Sequence, residues 1–84
     1  MSLFGRTPAE KATRASRVAA NLRYLATHEA LWRNSAAEES AGIDYETETY
    51  LTLNGAAYDA ARAVPWWRQI ILRERLARKL DRED

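Results

Sequence analysis

The chain has 84 residues, 13 lysines and arginines against 12 acids, one histidine and no cysteine. That length makes one domain, 1–84, which buries only about 60–65% of the surface its unfolded form exposes. Without cysteine, disulfides and thiolate metal sites are excluded, and a single histidine excludes an imidazole cage, so self-association or a bound partner is left to supplement a small core.

Residues 1–6 are expected to be a flexible arm. Helix signals begin at Thr7-Pro8-Ala9-Glu10, a capping box with proline at the first helical position. Ala15, Val18, Ala19, Leu22, Leu25 and Ala26 then line one face at helical spacing. Trp32 continues this face, Glu29 interrupts it, and Tyr24 and Leu31 point away. The spacing predicts a helix over about 8–33, with a break or bend near Thr27. A second capping box, Ser35-Ala36-Ala37-Glu38, followed by Gly42 as a terminator, predicts a short helix over 36–41.

Ile43 to Leu53 carries two competing periods. Ile43, Tyr45, Thr47, Thr49, Leu51 and Leu53 alternate as in a strand, whereas Tyr50, Leu53, Ala57, Ala61 and Val64 repeat as in a helix. A strand without a partner leaves its backbone groups unpaired, so a helix over 47–64 is preferred, despite Gly55 inside it. Pro65 closes that helix and opens the next, which is expected to run from 66 to 80 with a frayed tail at 81–84. The predicted fold is all-α: a small helical bundle of three longer helices plus one short helix. Its expected core is Val18, Leu22, Leu25, Trp32, Tyr50, Leu53, Val64, Ile70 and Leu76.

Charge is laid out in three blocks. Residues 1–34 hold six bases and two acids (+4), residues 35–61 six acids and no base (−6), and residues 62–84 seven bases and four acids (+3). Either the acidic middle neutralises the two basic arms within one fold, or a basic arm faces an external anionic partner.

Signs of catalysis are missing. His28-Glu29 has Trp32 where the zinc-protease pattern needs a second histidine. Asp44, Glu46 and Glu48 lack the spacing and glycine of a calcium loop; they fit a solvated face or the positive end of the following helix better. Ser16, Ser35 and Ser40 have no nucleophile context, and no glycine loop would cradle a phosphate. The expectation is a non-enzyme without cofactor, metal or small-molecule substrate.

The junction Pro65-Trp66-Trp67 and the trio Ile70-Ile71-Leu72 carry the functional signal. At 100° per residue these consecutive apolar side chains spread too far around the helix for one thin core to cover. Tryptophans beside arginines are common binding anchors. Trp66, Trp67, Arg68 and Ile71, with Arg75 and Arg78 at the rim, form the expected contact patch for a protein partner or a second copy. The alternative is a small DNA- or RNA-binding regulator using Arg14, Arg17 and Arg23 of the first helix and Arg73, Lys79 and Arg82 of the last. The acidic second helix cannot serve as a base reader, because carboxylates facing phosphate repel. Glu74 and the acidic tail argue against a membrane surface, and no apolar run reaches the roughly 18 residues of a span. The start lacks a secretory signal, and its loose likeness to a transit peptide is offset by the core stripe it carries. A reducing, cytoplasmic setting is expected, and the Ala/Arg-rich, Lys-poor composition suggests a high-GC bacterial or phage coding sequence.

Overall fold

A computed structural model describes residues 13–83. It is all-α, with three helices and no strand among the described residues: α1 (Arg14–Ser40), α2 (Glu48–Ala61) and α3 (Trp66–Glu83). The capping box at 7–10 and the arm at 1–6 lie outside those residues. Thr13 caps α1 instead, its hydroxyl accepting from the Ser16 amide at 3.0 Å.

α1 runs unbroken through the expected bend and through the expected short helix. Thr27 does not cap a second piece, because its hydroxyl donates back to the carbonyls of Arg23 (2.9 Å) and Tyr24 (3.1 Å) within the helix. Ser35 to Glu39 lies within α1 with no helix breaker before it, and its alanines and glutamates are strong helix formers, so the separate helix at 36–41 is absent. Gly42, expected to end the short helix, ends α1 itself. At φ 78° it lets the Ile43 amide reach Glu38 O (2.9 Å) and its own amide reach Glu39 O (3.0 Å), the two bonds of a Schellman stop.

The ambiguous segment divides: 43–47 connect the helices without regular structure, and α2 begins at Glu48, ending at Ala61 rather than at 64. Thr47 caps α2 by accepting from the Tyr50 amide at 3.0 Å, while its hydroxyl donates to the Glu38 carboxylate of α1. This ties the end of α1 to the start of α2. α1 and α2 therefore form an antiparallel hairpin, and α2 and α3 follow through a tight turn in which the Val64 amide donates to Ala61 O.

The core is thin. Among the described residues the buried apolar side chains are Tyr24, Ala57, Ala60, Val64, Leu72 and Leu76. Tyr24, Val64 and Leu72 meet at its centre, with Ala20, Leu25 and Ala61 packed around them. The Tyr24 ring stacks on His28 with centroids 3.8 Å apart. Alanines on α2 let α1 come close, so one large side chain fills the gap between three helices. That side chain is Tyr24, which the stripe pattern had turned away from the core. Val18, Leu22 and Ile70, expected inside, are exposed. Leu25, Trp32, Tyr50 and Leu53 are half-buried, and only Val64 and Leu76 of the expected core are fully enclosed.

The principal extents are 55 × 29 × 18 Å and the radius of gyration is 15.9 Å, against about 12 Å for a compact domain of this length. A long helix with two shorter ones laid on it cannot enclose much. Losing one of the few enclosed leucines is correspondingly costly: Leu→Ala at a buried site removes about 2–5 kcal/mol.

Candidate protein-interaction surface

The orientation of α3 is fixed at both ends. At its start, Gln69 Nε2 donates to the carbonyls of Ala61 (3.1 Å), which also accepts from the Val64 amide, and Val64 (2.8 Å). Farther along, Lys79 Nζ donates to Glu29 Oε1 of α1 at 2.8 Å, and Arg33 of α1 pairs with Glu83. Both pairs are 50 residues apart, so α3 runs parallel to α1 with residue n beside residue n − 50. The seam of α3 is a single line: Leu72 and Leu76 buried, Gln69 before them, Lys79 and Glu83 after them.

Everything on the far side of that line is open. Trp66 is 73% exposed, Trp67 48% and Ile71 49%, with Ile70 similarly exposed. Helical geometry divides these residues between two flanks. Trp67, Ile71, Arg75, Arg78 and Arg82 fall within about 80° of arc, whereas Trp66 and Ile70 lie farther round. The structure thus brings together Trp67, Ile71, Arg75 and Arg78 of the expected patch. Arg68 borders them, its guanidinium 4.9 Å from the centre of the Trp67 ring. Trp66 stands apart. Arg78 also meets Glu74 at 3.7 Å, an exposed pair of little energetic weight.

Two residues of α1 extend this surface. Val18 and Leu22 share a stripe with Glu29 and Arg33, which face α3, yet Leu22 is 61% exposed and Val18 about half. By the 50-residue offset they lie level with Arg68 and Leu72, beside the Trp67 flank. Sequence periodicity had found them, but had assigned them to the core.

The alternative basic set is scattered. Arg14 and Arg23 are nine residues apart on α1 and therefore face opposite ways, as do Arg73 and Arg82 on α3; Lys79 is already paired with Glu29. Arg17 lies between Arg14 and Arg23 in sequence and does not bring them onto one side. Arg73 lies close enough to Tyr24 and His28 to influence their titration.

The ion pairs of the described residues join Arg33, Arg78 and Lys79 to Glu29, Glu74 and Glu83. None involves the six carboxylates between Glu38 and Asp59. Four of these acids, Glu38, Glu39, Asp44 and Glu46, line an open hollow of about 340 Å³ between the end of α1 and the start of α2, together with Tyr45 and Tyr50. No group of three or more His, Cys, Asp or Glu residues is placed to hold a metal ion among the described residues. None of the helices there is long and apolar enough to cross a membrane.

Four groups of α1, Tyr24, His28, Glu29 and Arg33, have shifted titrations. Hydrogen bonds from Lys79 and Arg33 hold the Glu29 carboxyl below its ordinary range, and Glu83 and Glu29 raise Arg33. Burial lowers His28, opposed by its bond to Tyr24 O at 2.9 Å and aided by nearby Arg73. Burial also raises Tyr24.

Fold and surface together define a three-helix all-α protein with an open aromatic–basic helix flank. Comparison with protein-family models, with curated proteins and with solved structures gave no match.

Proposed function

We propose that this chain is a non-enzymatic helical interaction module, an accessory, adaptor or regulator. It self-associates or docks on a protein partner through the Trp/Ile/Arg surface of α3. The supporting observation is the exposure of Trp66, Trp67, Ile70 and Ile71 on the first two turns of one helix. Exposed apolar side chains such as the Trp67–Ile71 flank, rimmed by charge, are typical of contact sites. Trp67 is its anchor, stiffened by the Arg68 guanidinium over its ring. The lack of cysteine suits work in the reducing cytoplasm.

Light scattering over a wide concentration range, with affinity purification from the host at moderate salt, tests this. Trp67→Ala is expected to weaken binding by about 2–4 kcal/mol, as truncating a central tryptophan does. A strict monomer whose copurifying proteins are unchanged by Trp67→Ala contradicts the proposal. Running the purification with and without nuclease separates protein partners from those bridged by nucleic acid.

A further inference from the structure

Resting on that reading of α3, we propose that the partner is a second copy of this chain, bound head to tail: the Trp67–Ile71 flank of α3 in one copy packs on the outer face of α2 in the next. α2 has its own unpartnered face. Glu48, Leu51, Gly55, Tyr58 and Asp59 lie within about 100° of arc, on the side away from buried Ala57 and Ala60. Tyr58 is 66% exposed and Leu51 about half. The two open faces carry opposite net charge. Arg75, Arg78 and Arg82 flank Trp67 and Ile71. Glu48 and Asp59 flank Leu51 and Tyr58 and form no ion pair among the described residues, while Arg62, its guanidinium 5.4 Å from the centre of the Tyr58 ring, also borders this face.

Gly55 strengthens the match. A glycine in a helix interior is unfavourable, and a side chain at this position would meet nothing within 4 Å. The monomer does not need it. Between Leu51 and Tyr58 it leaves a notch in which an apolar side chain such as Ile71 can approach the α2 backbone. The exposed parts of Trp67, Ile71, Val18 and Leu22 come to on the order of 400 Å², the apolar share of a standard patch of about 800 Å² per partner. A symmetric α3–α3 contact would instead set three arginines of one copy against three of the other, and like charges brought together are repulsive. Because the two faces differ, the contact does not close on itself at two copies. It propagates into rings or open chains.

The test is complementation between two blinded variants, followed by sedimentation equilibrium in dilute salt. One carries Ile71→Asp and Arg75→Glu on α3; the other carries Leu51→Asp and Tyr58→Asp on α2. All four side chains are exposed, and unchanged helical circular dichroism establishes that each variant folds. The wild type is expected to exceed dimer mass as concentration rises, with an apparent dissociation constant that increases severalfold on adding salt. Each variant alone is expected to stay monomeric. Their equimolar mixture, with one intact face of each kind, should stop at a heterodimer. A mixture that remains monomeric overturns the proposal, as does a wild type that never associates. If the α2 variant associates as fully as wild type while the α3 variant does not, head-to-tail packing falls but the α3 surface stands. If the α3 variant associates undiminished, both fall.

Discussion

Lys79 of α3 and Glu29 of α1 meet at 2.8 Å, and Glu29 simultaneously accepts from Arg33 Nε at 2.9 Å one turn along its own helix. This carboxylate is the hub that sets α3 parallel to α1, since Arg33 reaches on to Glu83. Two groups near this contact titrate abnormally in the acid direction. Glu29 is held low by its two cationic donors, so its contribution to stability is present above the ordinary carboxylate range and lost as pH falls through the lowered folded value. His28 is lowered chiefly by burial, so the unfolded chain takes up its proton first; stability is complete above about 6.5 and declines as pH drops below it. Urea midpoints are therefore expected to fall in two stages on acidification. His28→Gln should flatten the first stage and Glu29→Gln the second, with unchanged slopes checked by circular dichroism.

Gln69 holds the turn between α2 and α3 by donating twice from one amide nitrogen. Gln69→Leu keeps the bulk and leaves the carbonyls of Ala61 and Val64 without that donor. The expected loss is about 1–2 kcal/mol of unfolding free energy, read from urea titration. An unaffected midpoint would show that the turn is held by packing of Val64 alone.

Tyr24 fills the core, yet its hydroxyl is buried without a hydrogen-bond partner among the described residues. An unsatisfied buried hydroxyl is a penalty that phenylalanine does not carry. Tyr24→Phe is expected to leave stability unchanged or raise it by up to about 1 kcal/mol, whereas Tyr24→Ala should cost about 3–5 kcal/mol, as loss of a buried aromatic does. Thermal denaturation of the two variants checks both signs.

Gly55→Ala separates folding from association. The added methyl meets nothing in the monomer and removes a helix-breaking residue, so the monomer is expected to gain about 0.5–1 kcal/mol. Self-association through the α2 notch is expected to weaken severalfold in the same variant. Stability is read by urea titration and association by sedimentation; a stabler variant that associates as before would place the contact away from Gly55.

Helix type and the starts of α2 and α3 were legible from the residues, whereas the ends of α1, α2 and α3 fall elsewhere than expected. Thr47, Gly42 and Pro65 act through local backbone chemistry, and local chemistry decides caps and stops. The core was not legible. Stripe counting favoured Val18 and Leu22 because they recur among alanines, but burial depends on where neighbouring helices lie, and α3 sits beside only part of that stripe. The alanines Ala20 and Ala61 contributed more than their size suggested, packing against the cluster that Tyr24 forms with Val64 and Leu72. Capping boxes also misled once: Ser35-Ala36-Ala37-Glu38 matches the pattern, but nothing before it stops α1, so the serine remains mid-helix. In the contact surface, Trp67, Ile71, Arg75 and Arg78 could be grouped from spacing alone. Placing Trp66 on another flank required the seam through Leu72 and Leu76, and Gln69 carried no sequence signal because its partners are backbone carbonyls.

The account depends on the α3 tryptophans being open in the single chain and covered on binding. Fluorescence of a Trp32→Phe variant, which leaves Trp66 and Trp67 as the emitters, measures this directly through acrylamide quenching across a dilution series. At high dilution the emission is expected to be red-shifted and readily quenched, and raising the concentration should shift it blue and protect it. Blue-shifted, protected emission that persists in the dilute monomer would contradict the account.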